Sequence, residues 1–184
     1  MPIPTLTGIR LQMIETERLN MHVLTSSLKE NTPVLFIHGN VSSATFWQET
    51  MLQLPAGYRG IAPDLRGYGD TEPLPIDGTL GLEDRVADVR ALVEEMGLGR
   101  YHLMGHSMGG ELCYDDGAPA GVNPDFVRLL AEGERDAPLL LQASLRARTR
   151  GGVADLDARH ARGRRLEKPE QFNELLHAFI QAND

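Results

Sequence analysis

Residues Gly105-His106-Ser107-Met108-Gly109-Gly110 are the most informative part of the sequence, because they place a serine in a G-x-S-x-G frame directly after the apolar run 101–104. A short strand that runs into a tight glycine-flanked turn puts the serine on a strained corner, where its Oγ stands clear of the sheet. Small residues two positions before and after the serine are a steric requirement, since the strand and the following helix pass close together there. The stretch therefore predicts that Ser107 is a nucleophile held between a buried strand and a helix.

The residues before this turn predict alternating strands and helices. Apolar and polar residues roughly alternate in the first two segments, as in a half-buried hairpin, and the later apolar runs have the length of buried parallel strands. This order is typical of an α/β protein with a mostly parallel sheet and crossover helices. Strands are expected at 9–14, 19–24, 33–37, 59–63 and 101–104, and helices after Ser42 or Ser43 and at 82–96.

Beyond Ser107 the regular pattern weakens. The helix after the serine is expected to last barely two turns, because Asp115-Asp116-Gly117-Ala118-Pro119 breaks it. One amphipathic helix is expected at 124–131. Order resumes at Pro169, where apolar residues recur at helical spacing through Ile180 and predict a C-terminal helix.

Composition limits the class of protein. The 184 residues suit one domain, and the net charge of −8 argues against a nucleic-acid or anionic-membrane partner. The single cysteine, Cys113, excludes an internal disulfide framework and fits a reducing compartment. We find no pattern of a secretory signal and no apolar run approaching the ~20 residues of a membrane span, so a soluble cytoplasmic protein is expected.

A second motif, His38-Gly39-Asn40, closes the predicted strand 33–37. The backbone N–H of Asn40 could supply one donor of an oxyanion hole, and the N–H of Met108 the other. A plain strand-ending turn is the alternative interpretation. The carboxyl ends of parallel strands carry the sites of open α/β sheets, and both motifs lie at such ends, which favours the functional interpretation.

Together with Trp47 and Ala62-Pro63-Asp64-Leu65-Arg66-Gly67-Tyr68-Gly69, the two motifs resemble the α/β-hydrolase fold superfamily, in its serine hydrolase or esterase-like form. The resemblance covers 9–111, and 167–172 resembles the start of the family's last helix. It implies a nucleophile at Ser107, oxyanion donors at Asn40 and Met108, an acid on a later loop, and a histidine just before the last helix. Family members with an aspartate nucleophile, such as epoxide hydrolases, are excluded because position 107 is serine.

The second half departs from the family pattern, because a large part of the cap and of the later core strands has no counterpart. Three segments result: 1–111 as the N-terminal part of the core, 112–150 as a shortened cap-like remnant, and 151–184 with the final core helix. The fold is therefore expected to be incomplete after the nucleophile helix. Strand 101–104 would then lie near an unpaired sheet edge, through which the chain could form a homo-oligomer.

The general base is expected at His160, although Arg159 stands before it where the family has a glycine. The catalytic acid is unassigned, because Asp155 and Asp157 lie only a few residues before His160 and Asp115 and Asp116 precede the elements that would hold them. Asp64 is expected to brace its loop through Arg66. His38 and His106 are assigned to structural positions of their motifs, His22 and His102 to strands, and His177 to packing or the surface of the last helix.

These residues predict a hydrolase that cleaves an ester or similar acyl compound through an acyl-enzyme, with a small-molecule acyl substrate as its partner. Two alternatives stay open: an impaired or inactive truncated hydrolase that at most binds ligand, and a perhydrolase or C–C bond hydrolase that uses the same serine. No metal or cofactor is expected, because H-E-x-x-H, paired cysteines and a phosphate-binding glycine loop are absent from the sequence.

Overall fold

A six-stranded, mostly parallel sheet forms the centre of the protein in the structure, which is a computed structural model. The structure describes residues 4–26, 29–80, 82–115, 127–131, 145–149, 152–156 and 169–182. In spatial order the strands of this sheet are β1, β2, β4, β3, β5 and β6, and a separate hairpin contains β7 and β8. The strands are β1 (Ile9–Glu15), β2 (Asn20–Ser26), β3 (Thr32–Ile37), β4 (Tyr58–Pro63), β5 (His102–His106), β6 (Val127–Ala131), β7 (Leu145–Thr149) and β8 (Gly152–Leu156).

The strands run in the directions expected for an initial hairpin followed by parallel strands with helical connections. β1 pairs antiparallel with β2, and β2 pairs antiparallel with β4, whereas β3 runs parallel to both β4 and β5. The helices are α1 (Gln48–Leu52), which follows a 3-10 turn at Ala44–Trp47, α2 (Glu83–Glu95), α3 (Met108–Asp115) and α4 (Pro169–Ala182). The prediction of an α/β fold with a mostly parallel sheet and crossover helices is confirmed.

The two faces of the sheet carry two apolar clusters because side chains alternate along β3. Phe36 packs toward Trp47 and, from α4, Phe172 and Ile180. Its neighbour Ile37 points to the opposite face and joins the apolar side of α2. Burying an aromatic or aliphatic side chain of this size contributes about 1.5–3 kcal/mol, so both faces stabilise the position of β3 and β5.

One prediction for the region after the serine turn is wrong. Residues 127–131, expected in a helix, form β6, which pairs in parallel register with β5 from His102 opposite Val127 to His106 opposite Ala131. The apolar residues of β6 fit the spacing of a helix as well as that of a strand. The backbone N–H and C=O groups of β5 need partners on the side away from β3, and hydrogen bonding to them favours the strand. β5 is therefore flanked by β3 and β6, and it lies next to β6, the outer strand of the described sheet.

Self-association through a sheet edge stays a prediction, and in the described sheet the outer strands are β1 and β6. The three-segment division likewise stays a prediction, although β6, within 112–150, belongs to the main sheet. Among the described residues, no helix combines the length and the apolar character that crossing a membrane requires.

Candidate active site

The serine turn joins β5 to α3 without an intervening loop. β5 ends at His106, α3 begins at Met108, and Ser107 between them has a φ of 54°. A non-glycine residue in this left-handed region is under backbone strain and persists only where its surroundings impose it. Gly110 N–H donates a 2.7 Å hydrogen bond to the Ser107 carbonyl, which closes the turn, and the Ser107 side chain is exposed. The predicted corner at the nucleophile is therefore present.

Two glycines of the turn are required by close approach of backbone to backbone. A Cβ on Gly105 would lie 2.2 Å from the carbonyl oxygen of Gly109, and a Cβ on Gly109 would lie 2.4 Å from the carbonyl oxygen of Ile37. Real Cβ atoms do not approach backbone this closely, so neither position admits a larger residue without displacement of the strand or helix. The G-x-S-x-G frame is thus explained by the packing of β5, α3 and the end of β3.

The loop after β3 lies directly against the serine turn. A Cβ built on Gly39 would be 3.0 Å from the Cβ of Ser107, so the His38-Gly39-Asn40 segment lies against Ser107. Val41, the next residue, has a φ of 53° and is 92% exposed. A β-branched residue in this conformation is a clear outlier, and such strain concentrates at functional loops. The structure brings the two predicted oxyanion segments together.

Tyr68 connects these two segments. Its hydroxyl donates a hydrogen bond to Oδ1 of Asn40 and lies 4.0 Å from Sδ of Met108. Asn40 and Met108 are the residues whose backbone N–H groups are the predicted oxyanion donors, so one side chain contacts both. Sequence reasoning assigned Tyr68 no role, although it stands in the quoted Arg66-Gly67-Tyr68-Gly69 motif.

His38 is fully buried and both of its ring nitrogens are engaged by backbone. Leu65 N–H donates to Nε2 at 3.0 Å, which leaves the proton on Nδ1, and Nδ1 donates to the carbonyl of Gly39 at 2.8 Å. Burial lowers the pKa of His38 below its ordinary value of 6.5, against smaller raising contributions from the Gly39 hydrogen bond and Asp64. His38 is therefore a neutral structural histidine, as predicted, and is not placed to act as a base.

The other described histidines also lie where the sequence assigns them. His22 and His102 belong to β2 and β5, and His106 stacks on Phe46 with ring centroids 4.9 Å apart. His177 is half-buried on α4. None of these positions is that of the expected base.

Asp64 braces its loop, as predicted, but its partners differ from the expected one. Its carboxylate accepts hydrogen bonds from Ala44 N–H at 2.6 Å and Asp70 N–H at 3.0 Å. It also lies 2.8 Å from Nδ1 of His22, although the two groups are not aligned as a hydrogen bond. These contacts occupy both oxygens of the buried carboxylate, so Asp64 is not free to orient a base.

Arg66 pairs with Asp88 of α2 rather than with Asp64, so that part of the prediction is wrong. Its Nε and Nη2 donate to the two carboxylate oxygens of Asp88 at 2.7 and 2.8 Å, a bidentate geometry that Asp64, turned toward Ala44, does not offer. This hydrogen bonding raises the pKa of Arg66. Arg18 donates a third hydrogen bond to Asp88 at 2.8 Å. The buried carboxylate of Asp88 therefore connects α2 to the loop after β4, which contains Arg66, and to the turn between β1 and β2, which contains Arg18.

The predicted base and the candidate acids belong to segments whose side chains the structure does not describe. His160, Asp157 and Asp116 lie outside the described residues, and Asp155 and Asp115 are described only as backbone positions in β8 and α3. In the part of the chain that the structure does describe, no side chain hydrogen-bonds to the Ser107 hydroxyl. Within the same residues, no group of three or more His, Cys, Asp or Glu side chains could hold a metal ion.

Comparison with known proteins identifies the family. A family model described as "Alpha/beta hydrolase family" matches residues 34–182, which is most of the chain. Epoxide hydrolase 2 of Siraitia grosvenorii is 36% identical over 102 residues, covering 55% of this chain and 32% of that protein. Probable lysophospholipase BODYGUARD 1 of Arabidopsis thaliana is 37% identical over 87 residues, covering 44% of this chain and 18% of that protein.

Solved structures agree with this match. A laboratory-evolved variant of potato epoxide hydrolase has 36% identity and a TM-score of 0.53, over 58% of this chain and 34% of that chain. An epoxide hydrolase from Vigna radiata has 29% identity and a TM-score of 0.57, over 76% of this chain and 44% of that chain. The matches thus span a third or less of the curated relatives and under half of the solved chains. Because the family model matches most of its length, the chain belongs to the alpha/beta hydrolase family.

Proposed function

We propose that this protein is a serine-dependent hydrolase that cleaves an ester or similar acyl compound. The observation that carries the proposal is the strained, exposed Ser107 at φ 54°, in contact with the loop that contains Asn40. A serine on such a corner is presented to substrate, and a carbonyl beside it would be reached by backbone donors from two segments.

In the proposed reaction the Ser107 Oγ attacks the carbonyl carbon of the substrate while a base removes its proton. The N–H groups of Asn40 and Met108 hold the oxyanion of the tetrahedral intermediate, which collapses with loss of the alcohol. Water then attacks the acyl-enzyme and releases the acid. Tyr68, which contacts both Asn40 and Met108, holds their two backbone N–H groups in a fixed relative position.

The residue at position 107 favours acyl transfer over epoxide opening. Several similar proteins bear the name epoxide hydrolase, and in this fold that chemistry belongs to an aspartate nucleophile. A similar protein from Arabidopsis thaliana bears the name probable lysophospholipase, and a lysophospholipid is an ester. Since Ser107 cannot replace an aspartate in alkyl-enzyme chemistry, the ester class fits this chain better.

His160 is our candidate for the base, because it is the histidine that precedes α4 in the order that the resemblance implies. A second candidate function is a ligand-binding protein with little or no activity. It is favoured by one observation in the sequence: Arg159 stands before His160 where the family has a glycine, and no aspartate is suitably spaced to act as the catalytic acid. Loss of a working base leaves only the residual catalysis of the oxyanion hole and of binding.

A serine-directed fluorophosphonate separates the two functions. An active site labels at Ser107, which intact-mass spectrometry detects as one adduct, and Ser107→Ala abolishes the label. His160→Gln is expected to slow labelling by about 10³-fold or more, as removal of a triad base does. The matched control is His177→Gln on α4, which should label at the wild-type rate.

The labelling results distinguish the hydrolase from the binding protein and test the role of His160. Absence of a Ser107 adduct, under conditions that label an ordinary esterase, would overturn the hydrolase and leave the binding protein. Labelling that is equal in wild type and His160→Gln would keep Ser107 as the nucleophile but remove His160 as the base.

A further inference from the structure

A cleft lies on the face of the sheet that α2 covers, at the opposite end of the strands from Ser107. Arg59 is the second residue of β4 and pairs with Pro33 near the start of β3, whereas Ser107 follows the last residue of β5. Since β3, β4 and β5 are parallel, the cleft lies at the amino ends of these strands and the serine turn lies at their carboxyl ends. The cleft has a volume of about 240 Å³. Its described lining includes Arg10, Gln12, Thr25, Lys29, Arg59 and Glu95.

Arg59 is the buried member of this lining. Its side chain is 7% exposed, and its Nε has no hydrogen-bond partner among the described residues. Burial lowers the pKa of Arg59, and the nearby Glu30, which is exposed, only partly offsets this effect. A guanidinium in such a position is costly for the fold unless an anion accepts its hydrogen bonds.

The charge of the cleft is opposite to that of the whole protein. Three cationic side chains line it, from Arg10, Lys29 and Arg59, against the one carboxylate of Glu95 among the described lining residues. The chain as a whole carries a net charge of −8. The lining residues thus have an excess of two positive charges, which falls to one when the nearby Glu30 is counted, and this excess suits an anion such as a phosphate group, which carries about −1.5 to −2 at neutral pH. Guanidinium donors also fit the oxygen geometry of phosphate.

We propose that this cleft binds a phosphate group, either inorganic phosphate or the phosphate of a small molecule. Arg59 donates from the buried wall, and the exposed Arg10 and Lys29 close over the anion from β1 and from the segment after β2. Glu95, at the end of α2, lies on the rim and disfavours larger polyanions. Because the site shares no residue with the serine turn, it is independent of the proposed hydrolysis.

Isothermal titration calorimetry of the full chain with inorganic phosphate tests the proposal, at an ionic strength held constant with sodium chloride. Saturable binding with one site is expected. Lys29→Gln and Arg10→Gln, at exposed positions that the fold does not depend on, should each weaken binding about tenfold, since a charge-assisted hydrogen bond contributes that much. Arg59→Gln should abolish binding, with circular dichroism as the check on folding.

Arg90→Gln is the matched control, because it removes the same charge from α2 at a position outside the cleft. Its affinity for phosphate should equal that of the wild type. Glycerol 3-phosphate distinguishes the two sources: tighter binding than inorganic phosphate indicates a phosphate carried by a small molecule, and weaker binding indicates the free anion. The proposal is overturned if no saturable binding occurs, if acetate binds as tightly as phosphate, or if Arg10→Gln and Lys29→Gln bind like Arg90→Gln.

Discussion

The hydroxyl of Tyr68 donates a hydrogen bond to the side-chain oxygen of Asn40, across the gap between the loop after β4 and the loop after β3. The same Asn40 oxygen accepts a 3.0 Å hydrogen bond from the N–H of Val41, whose backbone is in the strained left-handed region. Asn40 is thereby fixed on both sides at the position where the proposed reaction needs a rigid backbone donor. Preorganisation of this kind matters more to rate than to stability.

Tyr68→Phe should therefore slow the reaction of Ser107 while leaving the fold intact. Loss of one hydrogen bond of about 1 kcal/mol corresponds to a five- to tenfold lower second-order rate of phosphonate labelling. Tyr58→Phe is the matched control, since Tyr58 lies at the start of β4, away from the serine turn. Equal labelling rates for both variants would contradict a positioning role for Tyr68.

Asp88→Asn should strongly destabilise the protein. The substitution leaves the buried guanidinium of Arg66 without its counter-charge, and breaking a buried pair from one side costs about 3–5 kcal/mol. Asp84→Asn removes only the 3.1 Å contact with Arg18, whose side chain is 31% exposed, and should cost under about 1 kcal/mol. Urea unfolding compares the two variants, and similar midpoints would refute the buried Asp88 as an anchor of α2.

Gly105→Ala should destabilise the serine turn by about 3 kcal/mol, because the added Cβ meets the carbonyl of Gly109 at 2.2 Å and overpacking of backbone cannot relax easily. Gly99→Ala adds the same methyl group where no atom lies within 4 Å, and should change stability by less than about 1 kcal/mol. Thermal unfolding measures both. Equal melting temperatures would be incompatible with the close packing of β5 against α3.

Acidification should weaken the fold through His38. Because burial lowers its pKa in the folded state, the unfolded chain binds the proton more readily. The contribution of neutral His38 is thus complete above the ordinary value of 6.5 and is lost as the pH falls through the lower folded pKa. His38→Gln retains a donor and an acceptor but does not titrate, so its urea midpoint should fall less than that of the wild type between pH 7.5 and pH 5. Identical pH profiles would argue against this role.

The family and the strained turn at Ser107 were predictable because they depend on local sequence. The glycine spacing around Ser107 reflects sterics of adjacent backbone, and the apolar periods of β3, α2 and α4 are set within each segment. The contact between the His38-Gly39-Asn40 segment and Ser107 was predictable for a different reason, since the carboxyl ends of parallel strands meet at one side of a sheet.

Long-range pairing lay beyond the reach of the sequence. The sequence predicts Asp64 as the partner of Arg66, and only the fold brings Asp88 to Arg66 and turns Asp64 toward Ala44 and Asp70. Residues 127–131 have an apolar pattern that suits a helix as well as a strand, and the free edge of β5 decides for β6.

The alpha/beta hydrolase family and the strained turn at Ser107 thus follow from the order of residues alone, because backbone sterics act between neighbours in the chain. The tertiary structure alone decided that Tyr68 contacts both Asn40 and Met108, that Asp88 rather than Asp64 holds Arg66, and that Arg59 is buried in a cationic cleft. Those contacts join side chains from separate elements, and their geometry exists only once the two faces of the sheet are packed.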